Sequence, residues 1–534
     1  MSSQAGAEDA PTDRPRLRDR AIVFVARLLA RAFFRSVEVV GDVPPGGRVI
    51  LAASHLNGFV DPVLLVARLG RLPRFLAKAT LWKVAPARIL LNFAGAVPVQ
   101  RRVDAGDATD NRSTFAAAVQ ALDDRHTVAV FPEGTTHDDP SIRPLRTGVA
   151  RIALAASATG VEGVRIVPVG IAYEDKVATR GRALIELGRP LDVPDGAALD
   201  DTGAPLHADV AALTARLETA IRAATPDFAS LEEAVALTAG ATIALRPPGT
   251  TQDAVPLAES SALARRVAAA GGDRVVPVVD AVARYKMLLG TVGLVDAQIA
   301  NGRSLGFLAR RTVGLAVILV VLAPFAVAGL FANLVPAVLV LAAGVLPRAP
   351  VSKGTVRVLV AVLLFPLTWV AIAWWDVGAG WITDIVRSVS FPLQPVLAGL
   401  YGTRAGFWPS AFVFVSIPML GFLALLFVER AWALARDWRA WRARVDRRGQ
   451  LEAVLERRAV VAALTLDVAD AAGPPLVTGT PAATRSPDPA APGPAATLPA
   501  PHASGPAASA PNVAAPNVAA PDVSAPDAAA PTGD

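Results

Sequence analysis

Hydrophobic and polar positions divide the chain into a region of short alternating segments, a helical region and a region of long apolar runs. Between residues 36 and 195, short runs rich in β-branched residues alternate with stretches of helical periodicity. This alternation predicts an α/β domain, with a mixed sheet of about seven strands flanked by helices and with catalytic groups on loops at strand ends. The strands are predicted at 37–40, 49–52, 74–77, 96–99, 127–131, 166–173 and 183–187.

Helices are predicted between these strands, notably at 110–124, where Asp110 can cap the first turn, and at 147–159. Residues 196–311 form a helical, Ala-rich extension, which is broken by the turn-forming residues 246–249 and shows no site chemistry.

The N-terminal region, residues 1–35, begins polar and ends in a basic helical pattern. Arg20, Arg27, Arg31 and Arg35 fall on one stripe, with apolar residues on the other side. This pattern is typical of an amphipathic helix on a membrane surface, and a helix packed on the following domain also fits it. The segment lacks the apolar core and small-residue cleavage site of a secretory signal peptide.

The region 312–428 carries the long apolar runs. Residues 313–346 contain 34 positions without a charge. A continuous helix of that length would be about 51 Å long, against a hydrocarbon core of about 30 Å. Because Asn333 and Pro336 lie near the middle, we expect two short spans joined by a hairpin. The uncharged runs 358–375 and 409–428 predict two more, which makes about four transmembrane helices.

Arginine and lysine positions predict the orientation of these spans. Basic residues precede the first span, fall between the second and third, and follow the fourth. The positive-inside rule then places the catalytic domain and the C-terminal part in the cytoplasm, in a multi-pass protein of the cytoplasmic (inner) membrane. Four spans fit this assignment. Three spans would place one basic end outside, and the short second span leaves that alternative open.

The C-terminal part divides into two segments by composition. Residues 429–470 are rich in Arg and Trp, which is typical of a helix at the level of the lipid headgroups. Residues 471–534 consist mainly of Pro and Ala in repeated short units, a composition that predicts a disordered tail.

Composition narrows the chemistry further. The chain is 53% hydrophobic, which is high for a soluble protein. Its net charge of +6 is small for 534 residues and gives no concentrated basic field for nucleic acid. Cys is absent, so disulfides, thiolate nucleophiles and Cys-ligated zinc are excluded. Five His residues with no close pair argue against a histidine-rich metal site.

His55 and Asp61 follow the second predicted strand and are candidates for a catalytic pair. A hydroxyl is a poor nucleophile near neutral pH, so its acylation calls for a base and for a group that fixes the tautomer of that base. A loop of this kind, with Asn57 and Gly58, can fold a carboxylate back on the imidazole. Taken alone, the spacing also fits a loop histidine with a surface aspartate.

Two further motifs also follow predicted strands. Arg101 and Arg102 end the stretch that begins at Gly95, and guanidinium groups match the oxygens of a phosphate, although a solvated pair also fits. In residues 131–137, Gly134 allows close approach of a ligand to the backbone, and the polar contacts come from Glu133, Thr135 and Thr136. Glu133 could accept hydrogen bonds from hydroxyls of an acceptor. The same residues also fit an ordinary turn.

These motifs, in this order, resemble the glycerolipid acyltransferases, the phospholipid-synthesis family with a His-x4-Asp box. The resemblance covers roughly residues 36–195, and residues 167–169 match its fourth, apolar motif, which is expected to pack near the acyl chain. Five residues rather than four separate His55 from Asp61. That spacing, residues 144–150 and the spanning C-terminal half are similar to the larger glycerol-3-phosphate and dihydroxyacetone-phosphate acyltransferases.

The resemblance implies a role for each site residue. His55 would deprotonate the acceptor hydroxyl, which attacks an acyl thioester, and Asp61 would orient the imidazole. Arg101 would bind the acceptor phosphate, while Glu133, Gly134 and Thr135 would shape the pocket. Lys78 and Arg146 align with basic positions that could reinforce phosphate binding. The donor would be acyl-CoA or acyl-carrier protein, the acceptor a phosphorylated glycerol-type molecule, and membrane lipids would be further partners; no metal or cofactor is implied.

Three classes of function remain open on the sequence alone. The first is acylation of glycerol 3-phosphate or dihydroxyacetone phosphate, and its near rival is acylation of lysophosphatidate. A membrane transporter or scaffold with a regulatory acyltransferase-like domain belongs to a different class. Against that class, the uncharged runs contain no ionisable residue to serve a transported solute. Hydrolysis of a lipid ester ranks last, because no serine lies in a Gly-x-Ser-x-Gly elbow.

Overall fold

The computed structural model describes most of the chain before its Pro- and Ala-rich tail. The described residues are 17–43, 47–83, 85–100, 112–178, 180–249, 254–300, 304–347, 350–379, 407–446 and 448–473.

A single mixed sheet organises the first part of the chain. Its strands are β1 (Phe34–Val40), β2 (Val49–Ala53), β3 (Arg74–Lys78), β4 (Val97–Val99), β5 (Val128–Val130), β6 (Arg165–Tyr173), β7 (Gly181–Leu187) and β8 (Leu191–Asp192). All seven predicted strands are present, within a few residues of their predicted bounds. The prediction missed β8, because two residues are too few to show a periodicity.

The strand order is β1-β7-β6-β2-β5-β3-β4, with β8 paired to β6. Most neighbours are parallel, while β6 runs antiparallel to β7 and to β8. Every residue of β2 and of β7 is buried, as expected for strands that are covered on both faces. The loops that follow β2 and β5 therefore leave the same edge of the sheet, next to each other.

Helices cover both faces of this sheet. They are α1 (Leu17–Phe33), α2 (Val60–Leu69), α3 (Ala85–Ala94), α4 (Arg112–Asp123), α5 (Gly148–Ala158) and α6 (His207–Ala224). One core lies between the sheet and α1 and α2, and it includes Leu64, Val167 and Ile185. The other lies between the opposite face and α4, α5 and α6, and it includes Ile152 and Leu217.

Helix α1 packs on the α/β domain. Val23, Ala26 and Ala30 are buried in the first core, and Arg27 Nε donates to the backbone oxygen of Ala67 at 3.4 Å. Of the two predicted arrangements, the structure therefore shows the helix packed on the following domain. Leu17, Phe24 and Leu28 remain exposed on another face of the same helix.

A helical extension follows, as predicted. It comprises α7 (Leu231–Ala244), α8 (Leu257–Ala269), α9 (Val276–Val292) and α10 (Asp296–Ile299). Arg265 in α8 forms an ion pair with Glu186 on β7, at 2.7 Å, which joins the extension to the sheet.

The apolar region and the segment after it form four helices within the described residues. They are α11 (Leu305–Ala343), α12 (Pro350–Ala379), α13 (Phe407–Asp446) and α14 (Arg448–Ala471). Parts of α11, α12 and α13 are long and apolar enough to span a membrane, which makes three candidate spans among the described residues. Residues 380–406, from the loop predicted between the last two spans, lie outside the described residues.

The predicted hairpin at Asn333 and Pro336 is wrong, because α11 continues through both residues. Asn333 is buried instead of lying in a turn: its Nδ2 donates to the backbone oxygen of Gly329 at 2.9 Å, and Trp369 Nε1 donates to its Oδ1 at 2.9 Å. The hairpin prediction rested on the assumption that the whole uncharged run lies inside a hydrocarbon core. It did not foresee that a polar side chain in this run could be satisfied by a neighbouring helix.

The structure also differs from the prediction of one interfacial helix at 429–470. The first part of that segment continues α13, and the rest is α14, which buries Val454, Val461 and Val468 against the helical extension. Arg458 of α14 lies in this interface, where its Nε donates to Asp296 at 2.8 Å. The basic composition suggested lipid headgroups, whereas a carboxylate of the protein binds this guanidinium.

Asp296 is the centre of this buried network. It accepts hydrogen bonds from Arg246, from Arg458 and from the hydroxyl of Tyr285 at 2.9 Å. Because α14 supplies Arg458, the chain returns after the apolar helices to the extension from which it left. Arg311 at the start of α11 also pairs with Asp437 of α13 at 2.6 Å. The two ends of the apolar region therefore lie side by side.

The first prediction concerns the contact between α11 and α13. A Cβ at Gly329 would lie 2.1 Å from the backbone oxygen of Leu420, so Gly329→Leu should separate the two helices. We expect a loss of stability of about 1 to 3 kcal/mol, measured as a lower thermal unfolding midpoint in detergent. Gly314→Leu on the same helix is the matched control, because nothing lies within 4 Å of its Cβ position. Equal midpoints for the two variants would contradict the described packing.

Candidate active site

The loop after β2 folds into a tight turn that leads into α2. The backbone oxygen of Asn57 accepts from the backbone nitrogens of Val60 at 2.8 Å and Asp61 at 3.4 Å. Gly58, at the centre of the turn, has a φ of 37°, which lies in the left-handed region that glycine adopts without a steric penalty. The turn brings Asp61, in the first turn of α2, back toward the end of β2.

His55 and Asp61 form a hydrogen-bonded pair. His55 Nδ1 lies 2.9 Å from Asp61 Oδ2. A carboxylate can only accept, so Nδ1 carries the hydrogen and Nε2 is the basic nitrogen. The side chain of His55 is 14% exposed, whereas that of Asp61 is 0% exposed. Asp61 is thus a buried partner of His55 and not a surface aspartate, and the arrangement fits a base whose tautomer is fixed by a carboxylate.

Two further donors hold Asp61 in place. The backbone nitrogen of Asn57 donates to Oδ2 at 2.8 Å, and the hydroxyl of Tyr173, at the end of β6, donates to Oδ1. Burial, together with the negative charge of Asp61 and this hydrogen bond, raises the pKa of Tyr173 well above its ordinary value of 10. Tyr173 is therefore a hydrogen donor throughout the neutral pH range.

Side chains from the loop after β5 hold the other side of His55. The ring of Phe131 stacks on the imidazole, with centroids 4.0 Å apart and planes 19° apart. The backbone nitrogen of His55 donates to Glu133 Oε1 at 2.9 Å. Phe131 thus fixes the plane of the imidazole, and Glu133 fixes the backbone of the residue that carries it.

Glu133 supports the loop that carries His55. Its side chain is buried, and its Oε2 accepts from the backbone nitrogen of Arg143 at 3.2 Å and from His137 Nε2. Both carboxylate oxygens are thus bonded to protein donors. The sequence predicts that Glu133 accepts hydrogen bonds from hydroxyls of an acceptor. In the structure, its carboxylate accepts from His55, His137 and Arg143.

A cavity of about 1320 Å³ opens beside His55. Among its lining residues are four predicted site residues: Lys78, Gly134, Thr135 and Arg146. Gly134 has a φ of 70°, and a Cβ there would lie 2.5 Å from Arg146 Nε, so only glycine leaves room for that side chain. Arg112 and Arg151 also line the cavity, which is therefore positively charged at several points of its wall.

Two predictions fall elsewhere. Arg101 and Arg102, together with Asp110, lie outside the described residues, which stop at Gln100 and resume at Arg112. Val167 and Val169, of the apolar fourth motif, are buried in the core beneath α1 and α2 and do not line the cavity.

Sequence reasoning missed the contribution of Tyr173. It lies on a strand that the sequence did predict, yet its distance along the chain from Asp61 gives no hint that they touch. One signal was available: a tyrosine at the end of a buried strand needs a partner for its hydroxyl, and the carboxyl edge of the sheet offers one.

Known proteins similar to this chain share the same motif region. Residues 36–172 match the family model described as Acyltransferase. Glycerol-3-phosphate O-acyltransferase 2 of Saccharomyces cerevisiae is 41% identical over 88 residues, which is 16% of this chain and 12% of that protein. Glycerol-3-phosphate O-acyltransferase 1 of the same yeast is 33% identical over 86 residues, covering 16% and 11%.

Two further matches extend over longer segments. An uncharacterized acyltransferase of Schizosaccharomyces pombe is 25% identical over 260 residues, which is 32% of this chain and 38% of that protein. Among solved structures, the 1-acyl-sn-glycerophosphate acyltransferase of Thermotoga maritima is 21% identical. The match covers 38% of this chain and 77% of the Thermotoga chain, with a TM-score of 0.28. The matched segments span between 11% and 38% of the curated relatives.

The second prediction concerns the hydroxyl of Tyr173. Its raised pKa means that the folded state keeps this proton after the unfolded chain, with a pKa near 10, has begun to lose it. Its stabilising contribution is therefore complete below pH 10 and is lost as pH rises above that value. Tyr173→Phe should cost about 1 to 3 kcal/mol at neutral pH.

The thermal unfolding midpoints of wild type and variant, compared from pH 7 to pH 11.5, provide the measurement. The gap between them should narrow above pH 10. Tyr285, whose pKa is also raised, is present in both proteins and cancels in the comparison. A gap that stays constant over the whole range would show that the hydroxyl of Tyr173 is not buried against Asp61.

Proposed function

We propose that this chain, whose residues 36–172 form an acyltransferase domain, is a membrane enzyme that transfers a fatty acyl group to glycerol 3-phosphate. The donor is an acyl thioester, acyl-CoA or acyl-carrier protein, and dihydroxyacetone phosphate is the related acceptor. The names of the two yeast relatives support this choice of acceptor.

The observation that carries the proposal is the His55–Asp61 pair beside a cationic cavity. The 2.9 Å contact between Nδ1 and Oδ2 leaves Nε2 as the general base for an acceptor hydroxyl. A base positioned in this way typically contributes about 10² to 10⁴ in rate.

The proton path follows from this arrangement. As Nε2 removes the hydroxyl proton, the alkoxide attacks the thioester carbonyl and the imidazolium forms beside Asp61. The buried carboxylate stabilises this positive charge. When the tetrahedral intermediate collapses, the carbon–sulfur bond breaks and the imidazolium returns its proton to the departing thiolate. His55 is then neutral again, and the products are an ester and a thiol.

The cationic wall of the cavity supports recognition of a phosphorylated acceptor. Lys78 and Arg146 line the same cavity as His55, and Gly134 and Thr135 form part of its floor. We assign the acceptor phosphate to these cations, together with Arg101. A guanidinium group can bind two phosphate oxygens at once, which orients the acceptor and adds attraction.

The apolar helices support a place in a membrane. Three described helices are long and apolar enough to cross one. We propose that the catalytic domain faces the cytoplasm, in the inner membrane, because basic residues lie between this domain and the first apolar run and such residues favour the cytoplasmic side. The acyl product would then be formed where a lipid can enter the bilayer directly.

The third prediction tests the reaction itself. Membranes that contain the wild type should incorporate labelled acyl groups into glycerol 3-phosphate in preference to lysophosphatidate. His55→Ala and Asp61→Asn should each lower the rate by at least about 10²-fold, since one removes the base and the other its orienting charge. His126→Ala, in a turn after α4, is the matched control and should leave the rate unchanged.

Two outcomes would change the assignment. Preference for lysophosphatidate would make the enzyme a 1-acylglycerol-3-phosphate acyltransferase with the same catalytic pair. A wild-type rate of acylation in the double variant His55→Ala and Asp61→Asn would contradict the proposed catalytic role and favour a transporter or scaffold.

The fourth prediction concerns Arg146. Arg146→Gln keeps hydrogen-bonding capacity and removes the charge, so the KM for glycerol 3-phosphate should rise roughly 10-fold or more, with a smaller change in kcat. Arg216→Gln, on the exposed side of α6, is the matched control. An unchanged KM in Arg146→Gln would place the acceptor phosphate elsewhere.

A further inference from the structure

We propose that the first turns of the membrane-spanning helix α12 position the catalytic loop, and that Thr355 and Gly354 are positioning residues for the proposed acyl transfer. The inference rests on the proposed function. It assigns a task to a helix that lies far outside the matched domain, nearly two hundred residues beyond residue 172 in the chain.

Thr355 bonds directly to the turn between the catalytic residues. The backbone nitrogen of Phe59 donates to Thr355 Oγ1 at 3.0 Å. Phe59 is the N-cap residue directly before α2, and the first backbone N–H groups at the start of a helix have no partner within it. Thr355 thus supplies from another helix the acceptor that the start of α2 requires, two residues before Asp61.

Close contact between the two backbones explains the glycines. A Cβ at Gly354 would lie 2.5 Å from Asn57 Oδ1, and a Cβ at Gly58 would lie 2.1 Å from Thr355 Oγ1. The backbone nitrogen of Asn57 is one of the donors to Asp61. Any side chain at position 354 would therefore press on a residue that holds the catalytic carboxylate.

A second attachment lies in the loop between β6 and β7. Arg357, two residues after Thr355 in α12, donates from Nη1 to the backbone oxygen of Val177 at 2.6 Å. Asn57 Nδ2 donates to the neighbouring backbone oxygen of Lys176 at 3.2 Å. The same loop also carries Arg180, whose Nε forms an ion pair with Glu429 of α13 at 2.6 Å. The β6–β7 loop thus joins the catalytic turn to two of the apolar helices.

Apolar packing completes the contact. Val358 is 3% exposed and belongs to the same core as Val60 and Leu64 of α2. Thr355 and Leu359 line the cavity that contains His55. Helix α12 is therefore part of the wall of the site, and its docking on the turn is continuous with the core of the α/β domain.

This arrangement predicts a specific kinetic effect. Detaching α12 would let the turn drift, so the alignment of His55 with the acceptor hydroxyl would be lost while the cationic wall stayed in place. Displacement of a catalytic group by about 1 Å can cost roughly 10²-fold in rate. The loss should therefore appear in kcat, with the KM values for both substrates little changed.

The fifth prediction is a series of three variants assayed in membranes as the full chain. Thr355→Val has the same shape but no acceptor oxygen, and we expect its kcat to fall roughly 10-fold, the effect of losing about 1.4 kcal/mol of alignment. Thr355→Ser restores the oxygen and should recover most of the rate. Thr368→Val removes a hydroxyl that bonds within α12 itself, to the backbone oxygen of Leu364 at 2.8 Å, and should behave as wild type.

A cross-linking measurement keeps the inference testable if Thr355→Val accumulates poorly. The chain has no cysteine, so the double variant Gly58→Cys and Thr355→Cys would carry the only two thiols. The Cβ position at residue 58 lies 3.3 Å from Thr355 Cβ, close to the separation that a disulfide spans. Oxidised membranes should yield the linked peptides by mass spectrometry, and the pair Gly58→Cys and Thr368→Cys should not.

Each outcome decides one point. An active wild type together with an unchanged kcat in Thr355→Val, or the absence of the disulfide, overturns the positioning role and leaves the proposed function intact. Loss of rate in Thr355→Val that Thr355→Ser does not recover also overturns it. A wild type that acylates no acceptor overturns the proposed function, and the positioning role falls with it.

Discussion

The buried carboxylate of Asp61 is the constraint on which the site depends. A charge with 0% side-chain exposure is costly unless donors surround it, and here His55, the backbone of Asn57 and the hydroxyl of Tyr173 all donate to it. These donors come from the turn after β2 and from the end of β6, so the carboxylate can be satisfied only when both have reached their places. The same contacts that make burial of the charge tolerable also fix the imidazole. The hydrogen bonds that stabilise the loop therefore also orient the side chain of His55.

Support for this pair extends outward in two directions. On the side of the sheet, Glu133 bonds to the backbone of His55 and to His137, so the loop after β5 holds the loop after β2. On the side of the apolar helices, Thr355 bonds to Phe59. The first support belongs to the domain that is shared with known acyltransferases, and the second belongs to a helix outside the matched residues. The loop that carries His55 and Asp61 is in this way held both by the matched domain and by a helix beyond it.

The elements of the sheet could be predicted because each depends on local pattern. A strand that is buried on both faces reads as an apolar run, as β2 does throughout and β6 does between Ile166 and Ala172. The spacing of His55 and Asp61 could also be interpreted, since a short turn can join residues six apart. Asn333 shows where this reasoning fails. An asparagine in an apolar run indicates a turn by composition, yet Trp369 and Gly329 satisfy it inside a continuous helix.

The α/β class, the order of the strands along the chain, the candidate pair His55 and Asp61 and the presence of long apolar helices could be predicted from the sequence, because these follow from periodicity and from residues close together in the chain. Only the tertiary structure decided which distant groups meet. It placed Tyr173 on Asp61, bonded Glu133 to the backbone of His55, joined Arg458 to Asp296 and brought Thr355 to the turn between His55 and Asp61. The physical reason is that hydrogen bonds and ion pairs depend on distance in space, which periodicity along a chain does not encode.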